Sequence, residues 1–230
     1  MSEDRPVIIA LASPKGGAGK TMATILLACE AAQNGSRVLA IDADPQGSAS
    51  QWWKNSRRAG FQLERIACEA ITDRPELVRR LKQVRDVDLV LVDIQGTAEA
   101  AQSGALIYAD LVVIPTRAHA SDCRQAIAMG RYVASLGGHD RTIAHRILLN
   151  AVDIIESRSA ASKVARGMLE AAEAPVLATE LTNRVSFKNV ATSGSLFEQA
   201  VETQAIKNAQ QNVRDLMNEL AEIVNGETLA

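Results

Sequence analysis

One short stretch constrains the fold of this chain more than any other. Residues 13–21 form a glycine-rich segment between an apolar run and a pattern of helical length. Glycines let successive backbone N–H groups point inward at phosphate oxygens, and the positive end of a following helix adds to the same spot. The last two residues, Lys20 and Thr21, supply an ammonium group for phosphates and a hydroxyl for Mg²⁺. The segment therefore predicts a strand–loop–helix unit that binds the phosphates of a nucleotide.

Short β-branched runs alternate with helical stretches along the chain. This pattern is typical of an α/β fold, a mostly parallel twisted sheet with helices on both faces. The predicted strands are residues 7–12, 37–41, 65–69, 88–93, 111–115, 143–150 and 175–180. No linker, low-complexity tract or repeat divides them, so we expect residues 1–230 to form a single domain. Apolar residues at three- and four-residue steps predict a last helix docked on the core: Ile206, Ala209, Val213, Leu216, Leu220 and Ile223.

The composition excludes several classes of protein. Hydrophobic residues make up 47% and charged residues 23% of the chain, which is typical of a globular protein. The 25 basic and 27 acidic residues leave a net charge of −2, so any contact with nucleic acid must be local. The three cysteines lie far apart, and the first residues lack the features of a signal peptide. We expect a cytoplasmic protein with buried thiols.

Acidic residues end two of the predicted strands. Asp42 and Asp44 follow the second strand in the sequence Asp-Ala-Asp-Pro-Gln-Gly, and Asp93 ends the fourth. The carboxyl ends of parallel strands face the crevice where ligands bind in such sheets. Carboxylates at this place can order Mg²⁺ or hold the water that attacks a γ-phosphate. An ordinary Asp-Pro turn is the alternative interpretation of the first pair.

The phosphate loop departs from the standard GxxxxGK[ST] pattern, because Pro14 replaces a glycine and a second lysine, Lys15, follows it. The form KGGxGKT resembles the deviant Walker A motif of the ParA/MinD family of ATPases. The resemblance implies a P-loop NTPase fold and an ATP-bound homodimer in which Lys15 crosses to the partner's nucleotide. It also implies a site for ATP and Mg²⁺ with these loop residues: Lys15, Gly16, Gly17, Ala18, Gly19, Lys20, Thr21 and Met22.

The acidic segments extend this resemblance. The sequence DxDPQG is similar to switch I of ParA proteins, in which the second aspartate is needed for hydrolysis. The resemblance therefore implies that Asp44 is catalytic, together with Lys15 and Lys20. It places Thr21, Asp44 and Asp93 at the Mg²⁺ ion, with Asp93 acting through a bound water.

Switch II departs from the family. ParA proteins usually continue after the Walker B aspartate with a Cys-Pro-Pro-like sequence, whereas this chain has Ile94-Gln95-Gly96-Thr97. By analogy with the glutamine of GTPases, Gln95 is a candidate for positioning water.

Asn150 ends another predicted strand, where its amide can offer both a donor and an acceptor to adenine. Similar ParA chains place an asparagine against the adenine, and no NKxD guanine signature is present, so ATP is favoured over GTP. An asparagine that makes a local turn is the alternative.

A last segment resembles the DNA-binding region of small ParA proteins. Arg184 is followed by Phe187 and then by a Gly-Ser-Leu-Phe-Glu sequence at residues 194–198. In the family, the arginine of this pattern lies on the DNA-binding face of the dimer. The resemblance implies that Arg184 contacts DNA, with Lys188 and Arg214 as weaker candidates. A solvated surface of mixed charge is the alternative.

The resemblance as a whole implies a small ParA-type partition ATPase without an N-terminal helix-turn-helix domain. Its ATP-bound dimer would bind double-stranded DNA of the nucleoid non-specifically, and a ParB-like or adaptor protein would stimulate slow hydrolysis. The cargo stays open between a plasmid, a chromosome and a protein assembly. The alternative is a MinD-like or other positioning ATPase that acts on a membrane or on protein partners. The mixed charge on the polar face of the last helix disfavours the membrane.

Overall fold

The fold is built around one parallel sheet. The computed structural model describes residues 5–94, 103–137, 142–153 and 155–228. Within these residues seven strands pair in the order β3-β2-β4-β1-β5-β6-β7, and every pair is parallel. The strands are β1 (Val7–Leu11), β2 (Val38–Ala43), β3 (Ile66–Ala70), β4 (Leu89–Ile94), β5 (Leu111–Thr116), β6 (His145–Val152) and β7 (Leu181–Thr182). The predicted α/β fold with a parallel sheet is confirmed.

Helices cover both faces of the sheet. They are α1 (Lys20–Gln33), α2 (Ser48–Arg58), α3 (Arg74–Gln83), α4 (Ser103–Leu106), α5 (Ala120–Leu136), α6 (Ala160–Ala171), α7 (Val185–Val190) and α8 (Gln204–Thr228), with a 3₁₀ turn at Glu156–Arg158. Side chains alternate across each strand, so Ile9 and Leu11 of β1 pack in the cluster that contains α1, α2, α7 and α8. Ile8 and Ala10 face the opposite cluster, with α3, α4, α5 and α6.

Two of the helices that begin at the carboxyl edge of the sheet follow a glycine with positive φ. Gly19 precedes α1 with φ +87°, and Gly47 precedes α2 with φ +66°. Neither helix start has a side-chain cap. The first N–H groups of α1 are therefore available to an anion at this edge.

The seventh strand differs from its prediction. Instead of a strand over residues 175–180, Val176 makes an isolated bridge with Ile147, and β7 begins at Leu181. The reason lies in α8, where the Glu219 carboxylate accepts the N–H groups of Ala178 and Thr179 at 2.7 and 2.8 Å. The Leu177 N–H donates to the Ile147 carbonyl of β6, so the Thr179 N–H is the next one that could face β6, and Glu219 already accepts it.

The last helix docks as its apolar stripe predicts. Ala209, Val213, Leu216 and Leu220 are fully buried against the cluster that contains α1. Ile206 and Ile223 are only partly buried. Across the described parts of the chain, no helix has both the length and the apolar character needed to cross a membrane.

Candidate functional site

The segments predicted to bind nucleotide meet at the carboxyl edge of the sheet. The strand register pairs Leu11 with Asp93, and Asp93 with Asp42, so β1, β2 and β4 end at the same level. The phosphate loop leaves β1 at this level and returns as α1. The structure therefore places the loop directly beside both acidic strand ends, as the motif order predicts.

The phosphate loop has the backbone conformation that its glycines allow. Gly17 and Gly19 have φ values of +76° and +87°, which other residues rarely adopt. Lys20, the first residue of α1, has only 6% of its surface exposed. Burial lowers the pKa of Lys20, while the Asp93 and Asp44 carboxylates act in the opposite direction. The loop thus holds a buried cation where phosphate oxygens would lie. Met22 packs its side chain against the core.

Thr21 and Asp93 form the candidate magnesium site. The Thr21 hydroxyl donates to Asp93 Oδ2 at 2.5 Å, whereas Asp93 Oδ1 is buried without a hydrogen-bond partner among the described residues. Burial raises the pKa of Asp93 to about 7; the Thr21 bond opposes the shift and Asp42 adds to it. Hydroxyl and carboxylate oxygens are the ligands that Mg²⁺ prefers, directly or through water. A cation here would satisfy the unpartnered oxygen, so the donor set fits the predicted ion.

The two aspartates of the β2 end have different surroundings. Asp42 is fully buried, and its Oδ2 accepts both the backbone N–H and the hydroxyl of Ser50 at 2.7 Å. Its Oδ1 accepts the N–H of Asp44 at 3.3 Å. Asp44 is partly exposed and accepts the N–H of Gln46 at 2.9 Å. Asp42 therefore shapes the loop, and Asp44 is the carboxylate presented to the crevice.

Lys15 is turned away from the buried lysine of the same loop. Its ammonium group lies 2.9 Å from Asp122 Oδ1, in the first turn of α5, and 55% of its side chain is exposed. Burial alone would raise the pKa of Asp122, but hydrogen bonds from Lys15 and Ser121 outweigh it, and the pKa lies below its usual value. The two lysines of the loop therefore occupy distinct environments, one internal and one at the rim.

Asn150 is placed against the phosphate loop. Its Nδ2 donates to the Ala18 carbonyl at 2.8 Å, and its Oδ1 accepts the N–H of Ala151. A Cβ atom at Gly19 would lie 1.9 Å from this Nδ2, so only glycine permits the approach. The contact of Asn150 with adenine stays a prediction. Ala151, the residue after Asn150, and Lys188 of α7 both line a cavity of about 590 Å³.

The three residues predicted to contact DNA lie on two helices. Arg184 immediately precedes α7 and Lys188 follows one turn later; Phe187 and Val190 of α7 pack in the same apolar cluster as α8. Arg184 Nε is buried without a hydrogen-bond partner among the described residues. Arg214 of α8 instead contacts α1, through the buried Glu30 carboxylate at 3.4 Å. Arg184 and Lys188 thus lie together at α7, whereas Arg214 lies against α1.

Sequence reasoning missed two residues of the site. Asp122, the partner of Lys15, belongs to no motif, although its place just after β5 in the first turn of a helix is a usable signal. Ser50 holds Asp42, and its only signal is its position at the start of α2. Gln95, predicted to position water, lies outside the described residues.

Comparisons with known proteins identify the family of this chain. Residues 9–197 match the CobQ/CobB/MinD/ParA nucleotide binding domain. Protein ParA of Rhizobium radiobacter is 35% identical over 150 residues, which are 64% of this chain and 65% of that protein. Maintenance of carboxysome distribution protein A of Gloeobacter kilaueensis is 36% identical over 155 residues, 66% of each chain. The chain thus spans just under two thirds of the length of each of these two relatives.

A solved structure shows the same fold. A variant of McdA from Cyanothece, in complex with ATP, superposes with a TM-score of 0.74 at 16% identity, over 95% of this chain and 97% of that one. The ATP predicted from the sequence agrees with the nucleotide in that complex. The family match extends from β1 past α7 and so includes the phosphate loop, both acidic strand ends and Asn150. The chain therefore belongs to the CobQ/CobB/MinD/ParA nucleotide-binding domain family.

Proposed function

We propose that this chain is an ATP-dependent positioning ATPase whose ATP-bound homodimer binds double-stranded DNA without sequence preference. A ParB-like or adaptor protein stimulates hydrolysis and releases the DNA, and repetition of this cycle segregates or distributes a cargo. In this proposal all 230 residues act as one ATPase domain associated with the nucleoid.

The observation that carries the proposal is the different placement of the two loop lysines. Lys20 is buried beside Asp93 and Asp44 of its own chain. Lys15 is half-exposed at the rim, with Asp122 as its partner. One chain can therefore neutralise its own phosphates with Lys20 and still offer Lys15 to a nucleotide held by a second copy. This division favours an ATP-bound homodimer.

In this proposal each residue of the site has a part in hydrolysis. Lys20 and the N–H groups of the phosphate loop bind the phosphates, and Thr21 and Asp93 hold Mg²⁺, with Asp93 acting through a water. When bound, the ion neutralises charge that develops on the transferred phosphoryl group. Asp44 orients the attacking water from the partly exposed β2 end. Hydrolysis is slow until a partner protein completes this arrangement.

The proposed DNA surface is supported by fewer residues than the nucleotide site. Arg184 and Lys188 lie one turn apart at α7, whereas Arg214 of α8 is paired with Glu30 and is the weaker candidate. A homodimer presents each of these groups twice, which strengthens a modest basic surface. Because phosphate contacts carry no sequence information, binding is expected to depend on salt and little on base sequence.

The relatives support two kinds of cargo. One is named Protein ParA, which fits the partition cargo that the sequence resemblance implies, and the other is named for carboxysome distribution. Because the two relatives are similar to this chain at nearly the same sequence identity, the comparison favours neither cargo. A positioning ATPase that acts on a membrane or on protein partners without DNA remains the second candidate, since the family description includes MinD.

Fluorescence anisotropy of a labelled random-sequence duplex tests the proposal, at about 0.1 M salt where screening is moderate. Titrations with Mg-ATP, Mg-ADP and no nucleotide are compared for the wild type, Lys15→Ala and Arg184→Ala. Lys82→Ala is the matched control, because Lys82 is an exposed lysine of α3, a helix on the opposite face of the sheet from α7 and α8.

We expect binding with Mg-ATP only, lost in Lys15→Ala, at least about tenfold weaker in Arg184→Ala, and unchanged in the control. Light scattering on the same samples reports the ATP-dependent dimer. Dimers that bind no duplex under any nucleotide would reject the DNA function and favour the second candidate. Duplex binding that is equal with and without ATP would reject the control of DNA binding by ATP.

A further inference from the structure

Helix α2 is attached at its first turn to the acidic loop of the nucleotide site. It begins at Ser48, directly after Gly47. The Ser50 backbone N–H and hydroxyl both donate to Asp42 Oδ2 at 2.7 Å, and all of these groups are buried. The same carboxylate also holds the N–H of Asp44. The first turn of α2 and the proposed catalytic aspartate therefore share one anchor.

The second and third turns of α2 hydrogen-bond to both backbone polar groups of one distant residue, Gly194. Trp52 Nε1 donates to the Gly194 carbonyl at 3.0 Å, and the Gly194 N–H donates to Ser56 Oγ at 2.7 Å. The Ser56 hydroxyl in turn donates to the Trp52 carbonyl at 2.8 Å. Trp52 is 2% exposed and Ser56 is fully buried, so water cannot readily replace these bonds. We call Trp52, Ser56 and Gly194 the α2 clamp.

Only glycine fits at position 194 of this clamp. Its φ is +94°, and a Cβ atom built on it would lie 2.6 Å from Phe61 Cζ. Asn55 adds a hydrogen bond from Nδ2 to the Thr192 carbonyl at 3.3 Å. The clamped segment follows α7 directly, and Trp52 lies in the same apolar cluster as Phe187 of α7. The clamp therefore joins α2 to the end of the segment that carries Arg184 and Lys188.

We propose that the α2 clamp couples the nucleotide site to the α7 segment. A helix moves as a rigid unit, so a displacement of Ser50 with the acidic loop also displaces Trp52 and Ser56. Two buried hydrogen bonds to Gly194 then pass this displacement to residues 184–194. This inference rests on the proposed ATP-gated binding of DNA and names the contacts that carry the gating.

The first test compares the combined variant Trp52→Phe/Ser56→Ala with the wild type. The variant keeps an aromatic ring in the core and removes both side-chain bonds to Gly194. Trp53→Phe is the matched control, because Trp53 Nε1 donates to the Ile66 carbonyl of β3 instead. The readouts are the affinity for a fluorescent ATP analogue and the ratio of duplex affinity with Mg-ATP to that with Mg-ADP.

We expect that the ATP affinity of the combined variant stays within about twofold of wild type, whereas the affinity ratio for duplex falls at least about fivefold, the lower range of coupling between sites. Trp53→Phe keeps the wild-type ratio. An unchanged ratio in the combined variant overturns the coupling. Circular dichroism checks the fold, and Ser56→Ala alone replaces the combined variant if the latter does not fold.

The second test needs no DNA. Hydrogen exchange of the peptide that contains Gly194 is followed in the wild type with and without Mg-ATP. We expect Mg-ATP to change its exchange rate, and we expect this response to be absent from the clamp variant. No change in the wild type, or the same change in the variant, overturns the inference. If the wild type binds no duplex, the proposed function fails and this exchange measurement still decides the coupling.

Discussion

Asp93 combines two features that are seldom found in one carboxylate. One oxygen accepts the Thr21 hydroxyl, while the other is buried without a partner among the described residues. Without a cation, the cheapest way to relieve a buried, half-satisfied carboxylate is to protonate it. The raised pKa and the proposed magnesium site are thus two consequences of the same burial.

This burial predicts a pH dependence of stability in the absence of Mg²⁺ and nucleotide. The pKa of Asp93 rises from its usual 3.8 to about 7 on folding, so between these values the folded chain holds a proton that the unfolded chain has lost. The unfolding free energy of the wild type should therefore fall, relative to Asp93→Asn, as pH rises from about 4 to 7. A pKa shift of this size corresponds to a change of about 4 kcal/mol in unfolding free energy over this pH range.

Urea denaturation in EDTA, at a series of pH values, measures this difference. If the wild type instead gains stability relative to Asp93→Asn over the same pH range, burial does not raise the pKa of Asp93.

Asn150 gives a second prediction for a single side chain. Its amide donates to the Ala18 carbonyl of the phosphate loop, and removing one such bond costs about 0.5–1.5 kcal/mol. If this bond is the whole contribution of Asn150, then Asn150→Ala weakens ATP and GTP binding by a similar factor of about two to ten. Titration with fluorescent analogues of both nucleotides measures it. A loss confined to ATP would instead establish the base contact that the family resemblance implies.

Individual elements were predictable where their signals are local. The phosphate loop, the acidic strand ends and six strands are each encoded within a few consecutive residues, so the sequence indicated both the fold and most of the site. The clamp on Gly194 and the Lys15–Asp122 pair join residues more than 100 positions apart. Short motifs contain no information on such pairs, and the same reason explains the misplaced seventh strand.

Glu219 allows a test of that explanation. Its carboxylate accepts the N–H groups of Ala178 and Thr179, so Glu219→Ala leaves two backbone donors without this acceptor. We expect a loss of about 1–3 kcal/mol in unfolding free energy and faster hydrogen exchange at both amides. Glu222→Ala, at an exposed position of the same helix, is the control. If both variants unfold alike, α8 does not determine the path of residues 175–180.

Charge becomes decisive at the scale of the whole molecule. A net charge of −2 per chain gives no general attraction to DNA, so binding must depend on a local basic surface presented twice by a dimer. Arg184 and Lys188 are close in the chain and lie at one helix, whereas Arg214 is engaged by Glu30. This arrangement ranks Arg184 above Arg214 as a phosphate contact.

The salt dependence of duplex binding measures that ranking. Each phosphate contact contributes about 0.9 to the slope of log affinity against log salt, and a dimer loses two contacts per substitution. We therefore expect Arg184→Ala to reduce the slope, with Mg-ATP present, by about 1.8. Arg214→Ala should reduce it by less, because its guanidinium is already held by the Glu30 carboxylate, and Lys82→Ala on the opposite face of the sheet should leave it unchanged. An equal reduction in the arginine variants would mean that DNA displaces the Glu30 contact. A slope unaffected by Arg184→Ala would place the DNA surface elsewhere on the dimer.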